Sequence, residues 1–116
     1  MRRLLRIFLE ILDNNDTADK RGMRLLRSNL TAAQLLQNDC HRYFDVIGGE
    51  TGRRYRIHHG DALNVDELDE AGRRVSRWCF LPKGNLVRGD VLLAQKLALE
   101  LFESEALLVA NKYPRG

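Results

Sequence analysis

The chain has 116 residues, of which 44% are hydrophobic and 30% charged. That is the size and balance of one ordinary domain, which excludes a disordered chain or two catalytic domains around a cleft. The net charge of +3 is too small for a dedicated nucleic-acid arm. The two cysteines match no spaced motif, and no apolar run approaches the about 20 residues of a membrane span, so a cytoplasmic protein is expected.

Residues 2–12 predict an amphipathic helix with Leu4, Leu5, Phe8, Ile11 and Leu12 on its dominant face. Its basic start imitates a signal peptide, but Arg6 and Glu10 interrupt the run and no small-residue cleavage site follows. Apolar residues on more than one side mark Leu4, Leu5, Phe8 and Ile11 as a candidate interface. Residues 17–28 predict a weaker, basic helix, in which Gly22 costs up to about 1 kcal/mol of propensity. Thr31 with Gln34 forms a capping box, and Leu30 with Leu35 a hydrophobic staple, for a helix from about 32 to 41.

The pattern then becomes β-like. Strands are expected at 43–47, 53–58, 62–68 and 75–80, separated by Gly48–Gly52, Gly60-Asp61 and Asp69–Gly72. Leu63 and Val65 should point inward in the third. In the fourth, Trp78, Cys79 and Phe80 are consecutive, so either a bulge intervenes or both faces are covered. Pro82–Asn85 closes the meander. Asp90 is the expected N-cap of a last helix from Val91 to about Ala110, with a wide apolar stripe, a wet side of Gln95, Lys96, Glu100 and Glu103, and a kink near Ser104. Residues 113–116 read as a frayed tail. The expected fold is α+β in one domain, 1–116. A helical part spans 1–41, a four-stranded antiparallel β-meander 42–83, and a long C-terminal helix over 90–111 packs on one sheet face.

Chemistry finds little purchase. Cys40-His41, His58-His59 and Cys79 lack the spacing of a zinc site, because neighbours on a strand face opposite ways. Cys79 between two aromatics reads as an inert core thiol. Asp66, Glu67, Asp69 and Glu70 sit on a solvated hairpin, not in a cleft that would separate their pKa values. The loop Gly48-Gly49-Glu50-Thr51-Gly52 invites a phosphate cradle but precedes a strand and lacks the Lys-Ser/Thr of a nucleotide loop. No catalytic residue, metal site or cofactor is assigned, and a non-enzymatic protein is expected.

The fullest constellation is basic. Arg54, Arg56 and His58 share one strand face, Arg73, Arg74 and Arg77 lie on another strand of the same expected sheet, and Arg53 is close by. Tyr43, Phe44, Tyr55 and Trp78 interleave with them. Such a face suits single-stranded nucleic acid or an acidic partner. The alternative is a half-solvated sheet whose arginines pair with nearby carboxylates.

Tyr43–Gly49, Thr51–Ile57, Asn64–Asp69 with Gly72, Cys79–Pro82 and Gly89–Lys96 together resemble a group of short, uncharacterised bacterial proteins over about residues 43–110. The resemblance implies a bacterial cytosolic protein and transfers no site residue. The expected function is a binding, adaptor or regulatory protein acting through protein contacts or self-association. Nucleic-acid binding by the arginine face is the alternative.

Overall fold

The computed structural model describes residues 17–60, 63–81, 84 and 86–114. The helix expected at 2–12 lies outside them, as do Asp61, Pro82, Lys83 and Asn85. The fold is α+β, as expected. Helices α1 (Ala18–Ser28) and α2 (Ala32–His41) precede strands β1 (Tyr43–Ile47), β2 (Arg54–His58), β3 (Val65–Leu68) and β4 (Arg74–Cys79). Helices α3 (Arg88–Leu101) and α4 (Glu103–Val109) follow, and β5 (Asn111–Pro114) ends the described chain. The sheet is an antiparallel meander in the order β1-β2-β3-β4-β5. The fifth strand replaces the expected frayed tail: the chain returns from α4 to pair with β4, where it satisfies an edge that would otherwise be bare.

The capping box forms as its spacing demands. Thr31 Oγ1 accepts from Gln34 N at 3.2 Å and Gln34 Oε1 accepts from Thr31 N at 3.0 Å. The other end of the same glutamine reaches the sheet, donating from Nε2 to Asp45 O at 2.9 Å, while Gln37 Oε1 accepts from Asp45 N at 2.8 Å. These are the outward-pointing backbone groups of edge strand β1. Two glutamines of α2 therefore close that edge against further pairing.

The core lies on one face of the sheet. Phe44, Val46, Tyr55, Ile57, Val65 and Trp78 alternate inward and pack under Leu92, Leu93 and Leu99 of α3, with Leu26 of α1 completing the cluster. In β4, Ser76 and Trp78 turn inward. A bulge does intervene in this strand, but before the aromatics: Glu67 and Leu68 pair with Ser76 and Arg74, which leaves Val75 as the extra residue and sets Arg74 beside Leu68. Cys79 is partly exposed, not core. Leu63 precedes β3 in a left-handed conformation (φ 58°) and is only half-buried, so β3 is shorter than expected.

Three expectations for the C-terminal helix change. It begins at Arg88 with Val87 as N-cap, and Asp90 sits in the first turn without a capping hydrogen bond. It breaks at Phe102 (φ −140°, ψ 45°), two residues before the expected kink. Its wet side is largely buried: Gln95, Lys96 and Glu103 all lie inside. Gln95 exchanges side-chain hydrogen bonds with Asn64 at 2.7 and 3.0 Å and donates to Phe80 O, and Lys96 pairs with Glu100. Gln95 and Lys96 thus each have a partner, which is what permits their burial.

Gly22 is not a weak point in α1 but its crossing point with α3. A Cβ on Gly89 would collide with the Gly22 backbone, and one on Gly22 with Val87. Glycine on both helices lets the backbones touch.

Candidate functional site

The sheet face opposite α3 carries a ladder of alternating charge. Antiparallel register aligns Asp45, Arg56, Asp66 and Arg77 across β1 to β4. Opposite charges directly across neighbouring strands attract. Arg56 grips Asp45 with two hydrogen bonds, Nε to Oδ1 at 2.8 Å and Nη2 to Oδ2 at 3.1 Å. That hydrogen bonding outweighs burial and raises the guanidinium pKa above its ordinary value. Asp66 Oδ2 meets His58 Nε2 at 2.9 Å, and Asp66 Oδ1 lies 3.4 Å from Arg77 Nε, an ion-pair distance without hydrogen-bond geometry. Arg56 also stacks over the Tyr43 ring, 4.2 Å from its centroid, while His41 lies parallel to the same ring at 5.3 Å and His58 meets its edge.

The structure therefore brings Arg54, Arg56, His58, Arg74 and Arg77 to one face, and Arg53 and Arg73 to the loops at one end of it. Arg73 pairs with Asp69 at 3.4 Å. Arg54 and Arg74 flank Leu68 in a second row and have no carboxylate partner among the described residues. The aromatic half of the expected surface is not there. Phe44, Tyr55 and Trp78 turn to the core, because they occupy the alternate positions of their strands. Tyr43 alone shares the arginine face, and its ring is already engaged by His41 and Arg56. The candidate interface residues Leu4, Leu5, Phe8 and Ile11 lie outside the described residues.

Glu103 is the polar centre that sequence reasoning misplaced. The break at Phe102 turns it inward, where its carboxylate is fully buried. Oε1 accepts from Glu50 N at 3.0 Å and Thr51 N at 2.9 Å, while Oε2 accepts from Thr51 Oγ1 at 2.5 Å and Tyr55 Oη at 2.6 Å. Burial pushes the carboxyl pKa up, but the Thr51, Tyr55 and Glu50 hydrogen bonds together prevail and hold it below the ordinary 4.5. Burial, then the hydrogen bond to Glu103, drives the Tyr55 phenol well above its usual range. Gly49 N donates to Leu99 O at 3.0 Å, satisfying a carbonyl in the last turn of α3, and a Cβ there would strike the Glu100 carbonyl. The glycine loop is thus an anion cradle whose anion is the protein's own carboxylate. No local sequence signal marks it, because its partners lie 48 to 53 residues away.

Among the described residues no group of three or more His, Cys, Asp or Glu is placed to hold a metal ion, and no helix is long and apolar enough to cross a membrane. Cys40 is exposed on α2.

The C-terminal side is different in kind. Leu101, Phe102, Leu108 and Val109 are 62%, 55%, 83% and 80% exposed. They lead directly into β5, which pairs only with β4, so its outer edge has no partner among the described residues. No family model matches this chain, and no curated protein and no solved structure matches it.

Proposed function

We propose that this chain is a non-enzymatic binding protein that acts through protein contacts, and that it self-associates through its C-terminal side. The observation that carries the reading is the pairing of exposed Leu108 and Val109 with the open edge of β5. An unpaired antiparallel edge templates another strand, and a contiguous apolar flank supplies the burial that a short strand lacks. A two-fold axis at this edge lets β5 pair with β5 of a second copy and sets Leu108 and Val109 of the two copies against each other. The opposite edge is closed by Gln34 and Gln37, so association stops at two copies instead of running into a fibre. The polar clusters support a binding role, because the carboxylates of Glu103 and Asp45 take internal partners on both oxygens. The resemblance of residues 43–110 to bacterial proteins supports a bacterial, cytoplasmic setting. Light scattering over a concentration series tests the reading: a dimer mass that falls on dilution is expected, and a strict monomer at all concentrations removes it.

A second reading, nucleic-acid binding by the arginine face, draws on Arg54 and Arg74, which have no carboxylate partner among the described residues. Fluorescence anisotropy with single-stranded RNA and DNA decides it. Salt-sensitive binding lost in the Arg54→Ala, Arg74→Ala double variant supports it, and no binding at low salt ends it.

A further inference from the structure

A groove of about 940 Å³ lies where α1, the start of α3 and the residues before it meet. That volume is within the range of small-molecule sites, roughly 300–1,000 Å³. Its described walls are of two kinds. Met23, Leu81, Leu86, Val87 and Val91 are apolar, and Leu81 and Leu86 stand exposed, 57% and 43%. Arg42 and Arg88 supply cations. Both arginines neighbour His59. Arg42 O accepts from His59 N at 3.0 Å, Gly60 continues the lining, and both guanidiniums help burial lower the pKa of the half-buried His59 ring. His59 Nε2 is held by Asn38 Oδ1, and Nδ1 is buried without a hydrogen-bond partner among the described residues. Arg42 caps α2 in a left-handed conformation (φ 58°), a position where glycine or asparagine costs less. It therefore holds an arginine at the groove at a conformational cost.

We propose that this groove binds a small amphiphile with one anionic head and one aliphatic chain, the head on Arg42 and Arg88 and the chain along Met23, Leu86 and Val91. Two arginines beside an apolar wall match such a molecule. A peptide fits less well, because its backbone amides would lie against apolar side chains without hydrogen-bond partners. Asp19 is the one carboxylate among the described lining residues, and it opposes an anion. The site is independent of the C-terminal association surface.

Titration calorimetry with dodecanoate below its micelle concentration, on the full chain, tests the proposal, with dodecanol and acetate as the headless and tailless probes. Dodecanoate should bind at one site per chain, at least tenfold tighter than either probe. Arg42→Asn, which keeps the left-handed backbone, should weaken it about tenfold, as should Leu86→Glu on the exposed wall. Asp19→Asn should tighten it severalfold, a result that mere loss of folding does not produce. Amide shifts in NMR spectra should centre on Met23, Leu86 and Val91. No binding of dodecanoate, equal binding of dodecanol, or indifference to both Arg42→Asn and Leu86→Glu overturns the proposal.

Discussion

Glu103 shows how one side chain can fix a loop, a strand and a helix break together. Its carboxylate holds the amides of Glu50 and Thr51, the Thr51 hydroxyl and the Tyr55 phenol, so a single substitution disturbs three elements. Glu103→Gln keeps the shape but replaces one acceptor oxygen by a donor facing donors, which should cost about 2 kcal/mol at neutral pH. The pH dependence has a definite sign. The folded carboxyl titrates below its ordinary 4.5. Its contribution is therefore complete above that value and is lost as pH falls through the lowered folded value. In urea melts from pH 7 to pH 3, the gap between wild type and Glu103→Gln should shrink as the pH falls below 4.5. A gap independent of pH contradicts this account of the carboxylate. Nothing local marks Glu103 as buried: its partners are 48–53 residues away in sequence, so a helical-face argument assigns it to solvent.

At the scale of elements, legibility followed the range of the interactions. The helix at 32–41 was readable because its capping box lies within four residues, and β1 because alternation is local. The charge ladder was readable only in part. The register that sets Asp66 between Arg56 and Arg77 needs three strands, whereas the face shared by Arg54, Arg56 and His58 needs one. The α1–α3 crossing was not readable at all. Gly22 looks like a propensity defect until Gly89, from a helix after the sheet, is set against it. The sign of one substitution separates these views. Propensity alone has Gly89→Ala stabilising by up to about 1 kcal/mol. The close approach has it destabilising, by about 2 kcal/mol or more, since overpacked cores lose roughly 1–3. Chemical denaturation of the variant reads the sign directly.

For the whole molecule, the two edges of the sheet are treated unequally. The β1 edge is closed by Gln34, which the capping box already holds in place, and by Gln37. The β5 edge is bare among the described residues and bordered by Leu108 and Val109. The strand was missed because four residues ending in Pro114 resemble a tail until β4 is beside them. Its position decides what these exposed side chains mean. Scattered on a surface such side chains need no explanation, but next to an open strand they suit the proposed interface. Light scattering with size-exclusion chromatography on three proteins tests this most directly: the wild type, Leu108→Glu, and Leu36→Glu, whose site on α2 is 67% exposed but away from β5. The account predicts a wild-type mass of twice the 13.4 kDa chain, the same for Leu36→Glu, and a monomer for Leu108→Glu. A monomeric wild type, or a dimer that Leu108→Glu leaves intact, contradicts it.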